Sequence, residues 1–455
     1  MNKESYKYLS IISFKSLFNW SVKSTPKRGI NFKEKFQKCK IKSFLKRSRD
    51  LVTIIDTTEY NRVTVRLYGK GILIRDSLLG KFIGSKKQYR IKSGQFLLSR
   101  IDARNGAFGI VPESCNNCII TNDFWAFDIN EDIINPQFLF LVTATKQFSN
   151  LCQLASSGTT NRQRVAFEFF ENTEIPLPPI GIQKEFVKKY NDKIKLAEEQ
   201  EQNANDLEKN IEKYIFKMLG LKINKNTECV KLQFVDFMNI KLWGADKIAG
   251  NNAFISNKYK LLSLSDNSNL YLNVFRGKSP KYEDNTEAII LNQKCNRWNR
   301  IDLKFAKTVS GEWLKSIDSS FKTKENDIIV NSTGEGTIGR ATCIDKEHTD
   351  LLYDSHILLL RLNTELVNPL YYTYLLNSNF GQEQINYIKS AQSTKQTELG
   401  IDNLKLIKFP YPELEVQNKM VEHIKELNEN IINLRKQAEK NRLVAQEEFE
   451  KELFE

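Results

Sequence analysis

The chain repeats itself, and that repeat limits its fold more than any single motif does. Residues 174–184 read EIPLPPIGIQK and residues 408–418 read KFPYPELEVQN, each followed by a long charged stretch. Pro176, Pro178 and Gln183 fall on Pro410, Pro412 and Gln417 at one offset. Upstream, Asn135-Pro136 matches Asn368-Pro369, each at the start of an expected helix, and residues 156–163 match residues 390–396. Residues 94–101 precede Gly106 to Gly109 as residues 326–332 precede Gly336 to Gly339. Blocks kept in order at nearly the same spacing are the signature of duplication. The 455 residues therefore read as two copies of one unit, each a globular module followed by a long helix.

The helices show a period of their own. Met420, Ile424, Leu427, Ile431, Leu434, Ala438 and Ala445 step by fours and threes, with Asn441 in the slot before the last. Val187, Tyr190, Ile194, Ala197, Ala204, Leu207, Ile211 and Met218 do the same, with Glu201 on the seam and a slip near Leu207. That alternation is a heptad stripe. Gly220 suits a C-terminal stop. Each helix is roughly 55 Å long at about 1.5 Å per residue. So narrow a stripe is marginal alone, and the economical partner is the other helix, antiparallel; packing on its own module or homodimerisation is the alternative. Within the modules, residues 62–68 and 94–99 look like strands and residues 102–106 and 332–339 like tight turns. The expected fold is α+β: two similar globular domains separated by two antiparallel coiled-coil helices. The expected divisions are 1–180, 181–220, 221–412 and 413–455.

Charge names the class of partner. Lys+Arg exceed Asp+Glu by 68 to 55, a net charge of +13. Residues 1–50 hold fourteen cations against Glu4, Glu34 and Asp50, with Phe32, Phe36 and Phe44 among them. Clustered cations release counterions from a nucleic acid whatever its sequence, although a solvated arm reads the same way. No apolar run approaches a membrane span, and Lys15 breaks the one apolar stretch near the start, so a signal peptide is not expected. Seven scattered cysteines suit a reduced, cytoplasmic protein.

Catalytic patterns are poorly represented. Gly334 to Gly339 fits G-x-G-x-x-G but runs into the strand-like Arg340-Ala-Thr-Cys-Ile, so a hairpin turn is the better reading. Cys115 and Cys118 form a single C-x-x-C with no histidines at ligand spacing, His348 and His356 lying far away. An amino-methyltransferase loop would need a second proline after Asn135-Pro136 or Asn368-Pro369. Asp284 with Asp302 and Lys304 only loosely fits a metal-dependent nuclease. The chain reads as a DNA reader without a catalytic site; a stand-alone nuclease, or a scaffold that uses its helices for assembly and binds DNA only incidentally, is the alternative.

With its two variable modules, each closed by a Pro-x-Pro…Gln junction into a long helix, the chain resembles the specificity subunit of type I restriction-modification enzymes. Residues 98–110, 157–163, 175–179, 327–340 and 409–412 carry the likeness. The resemblance implies two target recognition domains on an antiparallel coiled coil, double-stranded DNA as ligand, two methyltransferase subunits and two restriction subunits. S-adenosylmethionine, ATP and Mg²⁺ would belong to those partners, none to this chain. Whether the basic stretch before Arg49 belongs to the first recognition domain is left open. Each module would read the major groove, where every base pair is distinct. The spacer would set the two half-sites about one to one-and-a-half turns apart. Candidate contacts are basic and polar residues in the turns. In the first module they are Lys86, Lys87, Arg100, Arg104, Asn105, Thr159, Thr160, Asn161, Arg162 and Arg164. In the second they are Lys278, Asn331, Ser332, Thr333, Arg340, Ser393, Thr394 and Lys395.

Overall fold

A computed structural model describes residues 36–154, 156–157, 164–223, 254–334, 336–391 and 397–454. The chain divides into two compact units, one of residues 1–200 with 436–455, the other of residues 201–435. These units cut across the linear division expected from sequence, because each takes part of both long helices.

One frame is built in each unit. In the first, Lys38–Lys40 pairs antiparallel with Glu174–Pro176, Cys39 opposite Ile175. In the second, Leu261–Ser263 pairs antiparallel with Lys408–Pro410, Leu262 opposite Phe409. Proline ends both inner strands, where a missing N–H costs no ladder bond. Each unit also has a four-stranded sheet of the same order. It runs Leu45–Ser48, Phe124–Ile129, Phe96–Ser99, Phe108–Ile110 in the first and Tyr271–Arg276, Ile357–Leu362, Ile328–Asn331, Ala341–Cys343 in the second. The third strands, FLLS and IIVN, are buried at every position, as apolar runs covered on both faces must be.

A buried glutamine locks each frame to its long helix. Gln183 Oε1 accepts from the Asn135 N–H at 2.8 Å, and its Nε2 donates to the Ile133 and Pro178 carbonyls at 3.1 and 2.7 Å. Gln417 accepts from the Asn368 N–H at 2.8 Å and donates to the Leu366 and Pro412 carbonyls at 3.2 and 2.9 Å. Asn135 and Asn368 cap the helices Pro136–Ala144 and Pro369–Asn377 with their side chains, proline standing at the first helical position, where its absent donor is harmless. The repeated Asn-Pro and Pro-x-Pro…Gln blocks are thus one joint, made twice.

What hangs on the frame differs. The first unit carries a five-stranded sheet in the order Asp50–Thr53, Lys87–Arg90, Ile119–Ile120, Glu59–Val65, Ile72–Leu79. The second carries a three-stranded sheet, Lys307–Thr308, Ile289–Leu291, Leu352–Tyr353, and the hairpin Asn296–Arg297/Arg300–Ile301. The strand read at residues 62–68 in fact ends at Val65, leaving Arg66 to Gly71 as a hairpin tip.

The long helices span Ile180–Leu219 and Leu414–Phe454. In the first unit Lys189 and Lys193 pair with Glu452 and Glu448, both at 3.1 Å. There Gln200 bonds Gln437 and Asn441 at 3.1 and 2.9 Å. Within the second unit Arg435 reaches Glu208 at 2.8 Å and Asn205 at 3.1 Å, and the rings of Tyr214 and His423 lie 4.4 Å apart. Rising numbers meet falling ones in both units, so the pairing is antiparallel. The tail of the C-terminal helix completes the first core, Phe449 packing on Phe138 and Phe186 at 6.0 and 6.4 Å. Ile215 and Leu219 enter the second core with Met420, Val421 and Ile424. Met218, expected on the seam, is only half-buried: the last turns step 211, 215, 219, following the globular core rather than a heptad partner.

The basic N-terminal stretch belongs to the first module from residue 36 onward. Phe36, Ile41, Phe44 and Leu45 are core residues, while Lys38, Lys40, Lys42 and Lys46 face solvent. Residues 1–35 lie outside the described residues. Among the described residues no helix is long and apolar enough to cross a membrane.

Candidate nucleic-acid interface

In both units the connection between the third and fourth frame strands meets a short ribbon. Residues 100–107 form it in the first and 332–340 in the second. Gly106 and Gly339 stand just before the closing residue with φ of +74° and +82°, a conformation open to glycine. The Val165 N–H donates to the Arg100 carbonyl at 3.0 Å, and the Leu399 N–H to the Ser332 carbonyl at 2.8 Å. These bonds fasten the ribbons Ser156–Ser157/Arg164–Val165 and Ser390–Ala391/Thr397–Glu398 beside the turns. Thr159, Thr160, Asn161 and Arg162, and Ser393, Thr394 and Lys395, fall between the ribbon strands, outside the described residues.

In the first unit the Arg100 guanidinium lies 4.9 Å from the Trp125 ring centroid. Its Nε is buried without a hydrogen-bond partner. Arg47 lies 5.4 Å from the same ring and 5.1 Å from Phe167. Burial, then the charges of Arg49 and Arg100, pull the Arg47 guanidinium below its usual range, Tyr89 opposing them. Arg164 is held by Asp123 at 3.0 Å. Arg104 is half-buried on the turn, and the Asn105 carbonyl accepts from the Tyr68 N–H at 2.8 Å. Lys86 pairs with Asp56 at 2.5 Å; it and Lys87, opposite Thr53, stand with the five-stranded sheet instead.

In the second unit the matching cation enters from the other end of the connection. Arg340 lies 5.6 Å from Trp298, donates to the Gly336 carbonyl at 3.1 Å, and has a buried Nε without a partner. Burial, then Arg297, lowers its pKa; Arg297 itself stacks on Phe305 at 4.6 Å. Lys278 sits 4.2 Å over Phe321, and Thr333 bonds His356 Nδ1 at 2.7 Å. Two candidates lie inside the protein. Asn331 and Ser332 are both 0% exposed. Asn331 is bound to Asn296 and the Gln293 carbonyl, both at 3.0 Å, and Ser332 to the Leu399 carbonyl at 3.0 Å. Their side chains hold the base of the turn.

The sequence reading took Arg47 only as one cation of the basic N-terminal cluster and passed over Trp125, Arg297, Trp298 and Tyr68 as candidates. Arg297-Trp298-Asn299-Arg300 carries a readable signal, cations flanking an aromatic in a tight turn. Arg47 and Trp125 are far apart in sequence and meet only through the pairing of Leu45–Ser48 with Phe124–Ile129. Tyr68 tops its hairpin at 76% exposure with φ of +60°, flanked by the exposed Arg66 and Lys70.

The other catalytic patterns are absorbed by structure. Gly334 to Gly339 turns between antiparallel strands, Ile328 opposite Cys343. Cys115 and Cys118 are both buried, and burial, then Cys115, pushes the Cys118 thiol up to about 11. Asp302 caps a short helical turn and pairs with Lys304 at 3.1 Å. Among the described residues no group of three or more His, Cys, Asp or Glu is placed to hold a metal ion.

Known proteins give this architecture a family. The type I restriction modification DNA specificity domain matches residues 32–227 and again residues 273–444. A protein of Methanocaldococcus jannaschii assigned as the type I restriction enzyme MjaX specificity subunit is 30% identical over 110 residues, 24% of this chain. That match spans a quarter of the relative's own length (25%). A solved chain from work on complex assembly and conformational transition of the type I R-M system has a TM-score of 0.59 at 14% identity, covering 92% of this chain and 98% of its own. It shares the fold. The HsdS subunit from Thermoanaerobacter tengcongensis gives 0.45 at 13% identity, over 92% and 97% of the two chains. Matched twice, once in each copy of the duplicated frame, the chain belongs to the type I restriction modification DNA specificity domain family.

Proposed function

We propose that this chain is the non-catalytic, sequence-reading subunit of a type I restriction-modification complex. It binds double-stranded DNA through both modules and carries two methyltransferase subunits on its long helices, with two restriction subunits joining the assembly in the cytoplasm. S-adenosylmethionine, ATP and Mg²⁺ serve those partners. One observation carries this reading: an identical frame is built twice, yet it supports two different sheets and two different turns. Such an object suits a target of two unrelated half-sites, since the frame fixes placement while the attachments set the bases.

The test is co-expression with a methyltransferase subunit, followed by sequencing of modified bases in host DNA. Modification that requires this chain and falls on a split target supports the reading. Modification at a single uninterrupted motif, or Mg²⁺-dependent cutting by the purified chain alone, overturns it.

A further inference from the structure

Several arginines in this protein find a carboxylate. Arg62 pairs with Asp76 at 2.7 Å, Arg164 with Asp123 at 3.0 Å, Arg361 with Asp327 at 2.7 Å and Arg435 with Glu208 at 2.8 Å. Four that have no such partner are set against aromatic rings, in two matched pairs. Arg47 and Arg100 share Trp125; Arg340 lies on Trp298 while its neighbour Arg297 lies on Phe305. Among the described residues none of the four has an ion-pair partner.

Two neighbouring guanidiniums, part-buried and without a counter-charge, are costly in an empty protein. Burial and nearby like charges depress the pKa of Arg47 (Arg49, then Arg100) and of Arg340 (Arg297), the electrostatic mark of that cost. The buried Nε of Arg100 and of Arg340 adds an unspent donor to each pair. Stacking offsets part of the cost and fixes each fork in place. The feature recurs at opposite ends of equivalent connections, Arg100 after the third frame strand and Arg340 before the fourth, on unrelated tryptophans. An accident of packing has no reason to repeat there.

We infer that each pair is a clamp for a DNA backbone phosphate, one clamp per module. The inference rests on the DNA-reading function proposed above and assigns these four residues a part in it. A doubly charged anion-binding fork answers both the missing counter-charge and the spare donor. A base-reading role is less suited, because a guanidinium held over an aromatic ring is drawn back from the groove. Phosphate contact carries no sequence information, which fits cations that recur while the surrounding sheets differ.

The assembled complex with its methyltransferase partner is titrated with a duplex bearing its modified target and with a scrambled duplex, from about 50 to 200 mM salt. Arg100→Gln and Arg340→Gln each weaken both duplexes by the same factor, roughly tenfold. Each lowers the slope of log affinity against log salt by about 0.9, with the modified sequence unchanged. Arg100→Lys keeps the wild-type slope, because it keeps the charge. An unchanged slope in both Gln variants, or loss confined to the specific duplex, overturns the clamps. If Arg100→Gln fails to fold, Arg340→Gln and Arg100→Lys give the same decision. A wild-type complex without DNA affinity overturns the proposed function itself, an outcome distinct from binding with unaltered slopes.

Discussion

Gln183 and Gln417 do the same work in two places, and the chemistry is unforgiving. Each is 0% exposed and satisfies one N–H and two carbonyls. Removing such a side chain leaves buried polar groups unpaired, at about 1–3 kcal/mol for each. Gln183→Ala and Gln417→Ala should each lower unfolding free energy by about 2–4 kcal/mol, read by denaturant titration. Gln417→Glu should be worse than Ala, since a carboxylate would face the Leu366 and Pro412 carbonyls without a donor. Tyr68 shows the opposite situation. Its positive φ costs a side-chain residue roughly 1–2 kcal/mol, and at 76% exposure little packing offsets it. Tyr68→Gly should therefore hold or raise the melting temperature; a clear fall would show that the ring packs on something in solution. Gln95 with Asp128 (2.7 Å) and Asp327 with Arg361 (2.7 Å) stand at matching places in the two frame sheets. Their different chemistry is why aligning the copies by residue type misses them.

Small residues set how closely the long helices approach. Ala197, Ala204, Ala438 and Ala445 are at most 2% exposed, small side chains buried along the two paired helices. Ala197→Leu or Ala438→Leu should cost about 1–3 kcal/mol by overpacking, measured by thermal unfolding; a neutral result would mean the pair is looser than drawn. The central helix also reaches into the second core. Glu212 accepts the Asn379 N–H at 3.1 Å at the start of Asn379–Ile388. Burial raises its pKa, with that hydrogen bond opposing. The sign follows from linkage. With the folded pKa above the unfolded one, its stabilising contribution is full below the ordinary carboxylate range and is lost as pH rises through the folded pKa. Glu212→Gln, which keeps the acceptor without the charge, should raise the melting temperature at pH 7, and the gain should vanish at low pH. The heptad stripe made these helices legible in the sequence. The drift to Ile215 and Leu219 was not legible, because it is imposed by a core assembled from distant strands.

For the whole molecule, one frame with two different attachments separates placement from specificity. Exchanging residues 49–123, which carry the five-stranded sheet together with the third and fourth frame strands and their connection, for the corresponding part of another family member should change one half of the modified target and leave the other intact. Sequencing the modified bases checks this, and a change in both halves would refute the division of labour. The sequence by itself determined the duplication, the α+β modules and the long striped helices, and it pointed to antiparallel rods and a polyanionic partner. Those features are written in local periods, in proline and glycine placed where backbone geometry demands them, and in net charge. Only the tertiary structure decided which of the candidate polar side chains are buried and which cations are set against aromatic rings. Asn331 and Ser332 carry the right chemistry but are buried at the base of a turn, whereas Arg47 meets Trp125 across two strands nearly eighty positions apart. Strand pairing brings together residues that no local pattern links, and burial then decides whether a polar side chain is spent inside the protein or left for a partner.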